Sequence, residues 1–362
     1  MFKPVRFQEK DRSDFFITMR NRVNAHFVEH NISPKGNSKM VVKTVFMLLL
    51  YLLPFVFILT NLYSGGTFLS LWFIMGLGMA GIGLSIMHDA NHGAYSNSKN
   101  VNMVLGRLLD FMGGSAVNWK IQHNVLHHTF TNIDGLDDDI AHEKFFRCSP
   151  QNKFYKHHRY QHYYVWFFYS LMSLFWSLAK DLKQTLKYNK MGLLKGQGTT
   201  LKKEITWLIF QKTFYFSYIL FLPWYLTSVS FSTIILGYLI MHLTAGLILA
   251  CIFQPAHIME TSEFPVPNDG KIENNWAIHQ FLNTTNFAPK SKWFSWFVGG
   301  LNFQIEHHLF PGICHVHYKD ISEIVKQTAE EYGVPYHSNP TFFGALLDHA
   351  KMLKLLGTGI TK

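Results

Sequence analysis

From Thr44 to His88 the chain carries no Asp, Glu, Lys or Arg, and from Thr213 to Met259 it again carries none. Stretches this long without charge cannot cover themselves with water-facing side chains, so they must be buried in lipid or protein. Each divides at a short link. The first gives apolar runs over about 44–63 and 67–87 around Ser64-Gly65-Gly66, and the second gives runs over about 205–227 and 231–253 around 228–230. A helix of roughly twenty residues rises about 30 Å, enough to cross a bilayer's hydrocarbon core. The pattern predicts an all-α integral membrane protein with two transmembrane hairpins, four spans in all. Lys212 is expected to snorkel to the nearer interface, and Pro223 to kink or end the third span.

The remaining residues are polar enough to form a cap. The 362 residues are 48% hydrophobic and 16% aromatic, yet mean hydropathy is only +0.05, which requires a large water-facing part. The reading is an arm over 1–43, a hairpin over 44–87, cap over 88–204, a hairpin over 205–253 and cap over 254–362. Arg6, Lys10, Arg12, Arg20 and Arg22 make the arm unlike a signal peptide; a cytoplasmic helix or arm is expected. The aromatic run from Tyr163 to Ala179 is short for a span and reads as an interfacial helix, with a buried core helix as the alternative.

Net charge is +10. Neither hairpin turn carries Lys or Arg, so the opposite face, with all the basic residues, should be cytoplasmic. There is no zinc-finger spacing, RNA-recognition signature or basic helix with interleaved aromatics, which argues against a nucleic-acid partner. Cys148, Cys251 and Cys314 are too few and too scattered for a disulfide framework or a Cys-x-x-Cys site.

Twenty histidines are the unusual feature. His88-Asp89-Ala90-Asn91-His92 closes the second span, and on a helix residues i and i+4 share a face. His123-Asn124-Val125-Leu126-His127-His128 repeats that spacing. On an α-helix His128 is displaced by about 100° from His127, and so is expected to serve a second ion while His123 and His127 share the first. Gln304-Ile305-Glu306-His307-His308 supplies another adjacent pair, with Gln304 in the place a further histidine would take. Seven imidazoles exceed what one metal takes from a protein, so two adjacent metals are expected. The clusters lie where cap meets bilayer, which suits an apolar substrate. Inert methylenes call for a redox metal, which zinc is not.

These boxes resemble the membrane fatty-acid desaturases, and QIEHH resembles their front-end and acyl-lipid branch. The resemblance covers most of the chain. It includes Asn118-Trp119-Lys120, Asp137-Asp138-Asp139, His307-His308-Leu309-Phe310-Pro311 and Tyr332-Gly333-Val334-Pro335-Tyr336. It implies four spans under a cytosolic helical cap holding a diiron site, with use of O2 and two external electrons to place a cis double bond in an acyl-CoA or acyl-lipid chain. It implies His88, His92, His123, His127, His128, His307 and His308 as ligands, and matches His257 in FQPAHIME to an additional histidine ligand. Gln304 fills a position that is histidine in other branches. No His-Pro-Gly-Gly haem motif of a fused cytochrome b5 occurs, so the expected donor is a separate ferredoxin, cytochrome b5 or reductase, and the chain looks like a bacterial inner-membrane member.

Asp89, Glu306 and Asp137 to Asp139 are candidates for orienting imidazoles, with capping or solvation as their ordinary alternative. Trp119 is a candidate acyl-tunnel residue or plain packing. His315 can contact metal, although surface or headgroup contact is expected of it and His317. His142, His157, His158 and His162 are expected in the cap or interface, and His242 in helix–helix hydrogen bonding. Competing functions are a lipid hydroxylase or ketolase on the same scaffold, a metal transporter, and a zinc lipid hydrolase. Boxes outside the spans count against transport.

Overall fold

The computed structural model of the protein describes residues 5–8, 14–140 and 144–359; His142, Lys10 and Arg12 lie outside them. It is mostly helical. Among the described residues, four helices are long and apolar enough to cross a membrane: Ser38–Leu59, Gly65–Asn91, Leu201–Leu226 and Phe231–His257. Several begin at side-chain caps. Asn37 accepts from the Lys39 N–H at 3.0 Å, and Ser230 accepts from the Thr233 N–H at 3.3 Å, satisfying amides that a helix start leaves open.

The second span is central. Its most apolar stretch is 67% buried, against 33% for the first and third. Trp72, Met75 and Met79 pack inward with Met47 and Tyr51 of the first span and Met241 and Ala245 of the fourth. Val42, Val45, Leu49 and Val56 remain exposed on the first span, the side lipid would cover. Gly78 allows the first two spans to touch: a Cβ there would sit 2.7 Å from the Tyr51 backbone nitrogen. Gly78→Val should therefore force the helices apart and cost about 1–3 kcal/mol. Its thermal midpoint in detergent should fall, whereas Gly66→Val, which meets nothing within 4 Å, should leave the midpoint unchanged. Equal midpoints for the two variants would refute this packing account.

Lys212 departs from expectation. Its Nζ lies 2.6 Å from Asp181 Oδ2 and 2.7 Å from the Trp176 carbonyl. It turns inward because a partly buried ammonium is stabilised by fixed acceptors. Pro223 follows a π-helical turn, Ser217–Phe221, and the helix ends at Leu226.

Between the hairpins, helical segments Gln161–Ser170, Met172–Phe175, Trp176–Lys180 and Asp181–Met191 run along the protein. Val165, Tyr169, Ser173, Ser177 and Asp181 face inward at four-residue spacing. Tyr163, Phe167, Phe175 and Leu178 face outward. Buried His242 in the fourth span joins these helices, with Ser173 Oγ 3.0 Å from its Nδ1 and Tyr215 Oη 2.6 Å from its Nε2.

The arm forms a helix, Phe15–Glu29, whose Phe15, Met19, Val23 and Phe27 are buried. It packs with Ile321 and Val325 of Tyr318–Glu331. Two pairs of two-residue parallel strands tie down the cap: Arg6–Phe7 with Lys271–Ile272, and Asn286–Phe287 with Ser338–Asn339. The cysteines are unpaired.

Candidate metal centre

The histidine-bearing segments are not regular α-helix. The second span changes to π-helix over Ile82–Met87, immediately before His88. The second box lies in another π-helical stretch, Lys120–His127. A π-helix pairs i with i+5 rather than i+4, and such turns recur at functional sites. This corrects the expected division of the box. His123 and His128, five apart, meet with their Nε2 atoms 3.2 Å apart. His127 stacks beside His123 with ring centroids 5.3 Å apart, but one of its ring nitrogens converges with those of His257 and His308.

The result is two adjoining sets of imidazoles. His88, His92, His123 and His307 place ring nitrogens within 4.8 Å of one another, as do His127, His257 and His308. His128 stands between the sets, with Nε2 3.0 Å from His307 Nε2, and also groups with His307 and His308. His307 and His308, adjacent on the short helix Gln304–Leu309, divide between the two sets.

Nitrogens aimed at an interior point need a partner. Nε2 of His92, His127, His257 and His308 is buried without a hydrogen bond, and Nε2 of His88 faces that of His123 at 3.3 Å. Converging lone pairs in a dry pocket cost free energy unless a cation or proton lies between them. Burial, followed by mutual repulsion, holds His92, His123, His128, His307 and His308 well below the usual imidazole pKa. Neutral imidazole is the ligand form, so the donor set fits metal ions. Gln304 is fully buried with neither amide atom hydrogen-bonded, and its side chain also lacks a partner that the described residues supply.

The opposite ring edges are held. Both Asp137 oxygens lie 3.0 Å from His127 Nδ1, and Asp139 Oδ2 lies 3.1 Å from His123 Nδ1. Burial disfavours the charged form of His127, but Asp137 and Asp139 outweigh it and raise its pKa. His257 Nδ1 is 3.1 Å from the Asn283 carbonyl, His307 Nδ1 is 3.2 Å from Tyr318 Oη, and His308 Nδ1 is 2.8 Å from Gln280 Oε1. Gln280, Asn283 and Tyr318 were not legible as supports, because single polar residues far from the boxes carry no spacing signal.

Other candidates fall elsewhere. Asp138 touches no imidazole; it pairs with Lys187 and accepts from Tyr188 Oη at 2.8 Å. Glu306 turns away from the imidazoles and accepts from Asn286 Nδ2 and Tyr336 Oη, each at 2.8 Å. Burial raises its pKa to about 7. His315 is buried, not a surface contact. Lys43 Nζ is 2.7 Å from its Nε2, and its Nδ1 is 2.8 Å from Asp89 Oδ2. An ammonium can only donate, so His315 accepts from Lys43 and donates to Asp89. An ammonium at that spot also repels a cation, although Asp89, Cys314 and His315 lie close enough to hold one. His317 is likewise buried, with Nε2 3.1 Å from the Lys35 carbonyl. His158 is buried, and His157 and His158 both approach the Lys144 carbonyl.

An apolar cavity opens beside the first set. Met79, Gly83, Met87, Trp119, Trp176 and Phe253 are among its walls. The Trp119 and Phe253 rings stand 4.5 and 5.7 Å from His123.

The sequence profile of the fatty acid desaturase family matches residues 64–340. The chain belongs to the fatty acid desaturase family. This desaturase is 37% identical to an sn-1 linoleoyl-lipid 6-desaturase of Arthrospira platensis over 338 residues, covering 93% of this chain and 90% of the relative. It is 33% identical to the sn-1 linoleoyl-lipid 6-desaturase of Synechocystis sp., covering 99% of each. It is 36% identical to the acyl-lipid (8-3)-desaturase of Physcomitrium patens, covering 98% of this chain and 74% of that one. No solved structure matches significantly. The desaturase is therefore an oxidoreductase of fatty-acyl chains, set in a membrane by four apolar helices.

Proposed function

We propose that this desaturase inserts a cis double bond into the acyl chain of a membrane lipid, using O2 at a pair of iron ions. The observation that carries the iron site is the buried convergence of eight imidazoles in two adjoining sets. The proposed ligands are His88, His92, His123 and His307 for one ion and His127, His257 and His308 for the other, with His128 between them. Gln304, whose buried amide has no hydrogen-bond partner, is a further candidate ligand beside His307 and His308 on the same short helix. Asp137, Asp139, Gln280 and Tyr318 keep the imidazoles in position. Iron is favoured over zinc because dehydrogenating a saturated chain needs a redox-active centre. The acyl-lipid substrate is supported by the relatives' names.

When bound, the iron pair supplies the oxidising power. The reaction balances as –CH2–CH2– + O2 + 2 e⁻ + 2 H⁺ → –CH=CH– + 2 H2O, with the electrons delivered by an external donor. The protein's share is placement. Trp119 and Phe253 bound the acyl slot next to His123, and the buried apolar walls exclude water. Gly83 keeps that slot open: a Cβ there would stand 3.3 Å from Leu249 Cδ2. Gly83→Leu should cut turnover on long acyl chains about 10-fold or more, since misplacement of about 1 Å is costly; unchanged turnover and product position would remove the cavity from the substrate path.

The basic cap is assigned to the cytoplasmic face, because the hairpin turns lack Lys and Arg. The outward Tyr163, Phe167, Phe175 and Leu178 support an interfacial helix. The proposed division remains an arm over 1–43, hairpins over 44–87 and 205–253 and cap over 88–204 and 254–362, although the spanning helices run past those limits, from Ser38 to Asn91 in the first hairpin and from Leu201 to His257 in the second. Expression in a host without polyunsaturated lipids, with mass spectrometry of its fatty acids and metal analysis of the purified enzyme, tests the proposal. New alkenes with about two irons per chain are expected. A hydroxylated product without alkene, or full zinc with lipid hydrolysis and no O2 use, would overturn it.

A further inference from the structure

Helix Asp181–Met191 and the segment after it carry an unbalanced charge. Lys183, Lys187, Lys190, Lys195, Lys202 and Lys203 are all exposed. The acids of residues 181–204 are Asp181 and Glu204, and both are buried. Lys183, Lys187 and Lys190 follow at i, i+4 and i+7, so they form one stripe. Leu182 and Leu186, 53% and 43% exposed, adjoin the stripe on one side, with Leu186 one turn before Lys190, while Lys187 points furthest from them.

The stripe sits directly over the metal-ligating segment. Tyr188 and Leu194 pack with Ile121 and Leu126 of the second-box helix in one apolar layer. A hydrogen-bonded path crosses that layer. Lys187 pairs with Asp138, which accepts from Tyr188 Oη at 2.8 Å. Gln184 Nε2 donates to Tyr188 Oη at 3.0 Å and to Gln122 Oε1. Gln122 Nε2 donates to Asp139, whose other oxygen is 3.1 Å from His123 Nδ1. An exposed lysine and a proposed ligand imidazole are thus joined without a gap.

We infer that this lysine face is the docking surface for an acidic one-electron carrier protein, which binds by charge complementarity above the His123 set. The inference rests on the desaturase reading, which requires two external electrons per turnover; two carriers are each oxidised by one electron. Opposed charges steer such encounters and make them salt-sensitive.

The full-length enzyme in phosphatidylcholine vesicles is compared with Lys183→Glu/Lys190→Glu/Lys195→Glu, residues outside the path and the site. The probe is an acidic [2Fe–2S] ferredoxin kept reduced by its reductase and NADPH, with dithionite as a donor that needs no docking. The variant should raise the KM for ferredoxin about tenfold or more and lose its salt dependence, with dithionite-driven alkene formation within about twofold of wild type. Direct titration of the vesicles with ferredoxin should show the same loss of affinity. Unchanged ferredoxin KM and salt dependence overturn the inference. So does a variant whose only defect is lower dithionite-driven alkene formation after reconstitution into phosphatidylglycerol-containing vesicles, which makes the surface a lipid contact. Wild type that forms no alkene with either reductant overturns the desaturase reading itself, and the inference with it.

Discussion

His127→Ala should abolish new double bonds and lower bound iron by about one ion per chain. His127 meets His257 and His308 in the smaller set, so its loss leaves two of those three imidazoles, while His88, His92, His123 and His307 keep all four. The partial retention separates ligand loss from general unfolding, which would release both ions. Removing this imidazole also takes one of three hydrogen-bond partners from Asp137, buried to 1% exposure, a stability cost of about 1–3 kcal/mol. Metal analysis should therefore use the monodisperse fraction from size exclusion, and the host's fatty acids should be profiled alongside. The exposed His157 provides a control whose alanine variant should keep both activity and metal. Alkene formation by His127→Ala would refute its assignment as a ligand.

Asp137→Ala should reduce metal affinity or turnover about 10–100-fold, the range for losing a carboxylate that orients a ligand histidine. Besides holding His127 Nδ1, Asp137 accepts the Asn132 and Asp139 backbone N–H groups, each at 2.9 Å. The alanine variant leaves the buried Asn132 N–H and the part-buried Asp139 N–H unpaired, and stability should fall by about 1–3 kcal/mol. Asp137→Asn keeps the shape and an acceptor oxygen but not the charge, so it should recover much of the stability and little of the lost metal affinity. Thermal melting and metal titration together separate the two effects. If both variants bound metal and turned over like wild type, Asp137 would be only a loop cap.

The docking surface gives the cap a division of labour. Substrate is proposed to reach the first imidazole set through the apolar cavity, where Trp119 and Phe253 stand. Electrons are proposed to arrive from the opposite, cationic side, through the layer containing Tyr188 and Gln184. The two routes meet at His123, which touches Trp119 on one side and Asp139 on the other.

Some of this was already determined by the amino-acid order. The absence of charge over two long stretches specifies four membrane helices, because a buried charge is too costly for such segments to hide one. Histidines at fixed short spacings specify a metal-competent cluster, and their adjacency to a span end places it at the bilayer surface. What the order alone did not determine is which imidazole faces which set. That depended on the π-helical turn through His123 and His127, whose Ile121 and Leu126 pack against Tyr188 and Leu194 far along the chain. The same holds for partners far apart in the chain. Lys43 meets His315, and Gln280 meets His308, only once the spans and cap have packed. Lys212 looked like a snorkelling lysine until Asp181 appeared beside it. In each case a lone polar side chain has no periodicity to announce it, and its role follows from the buried partner that the tertiary structure supplies.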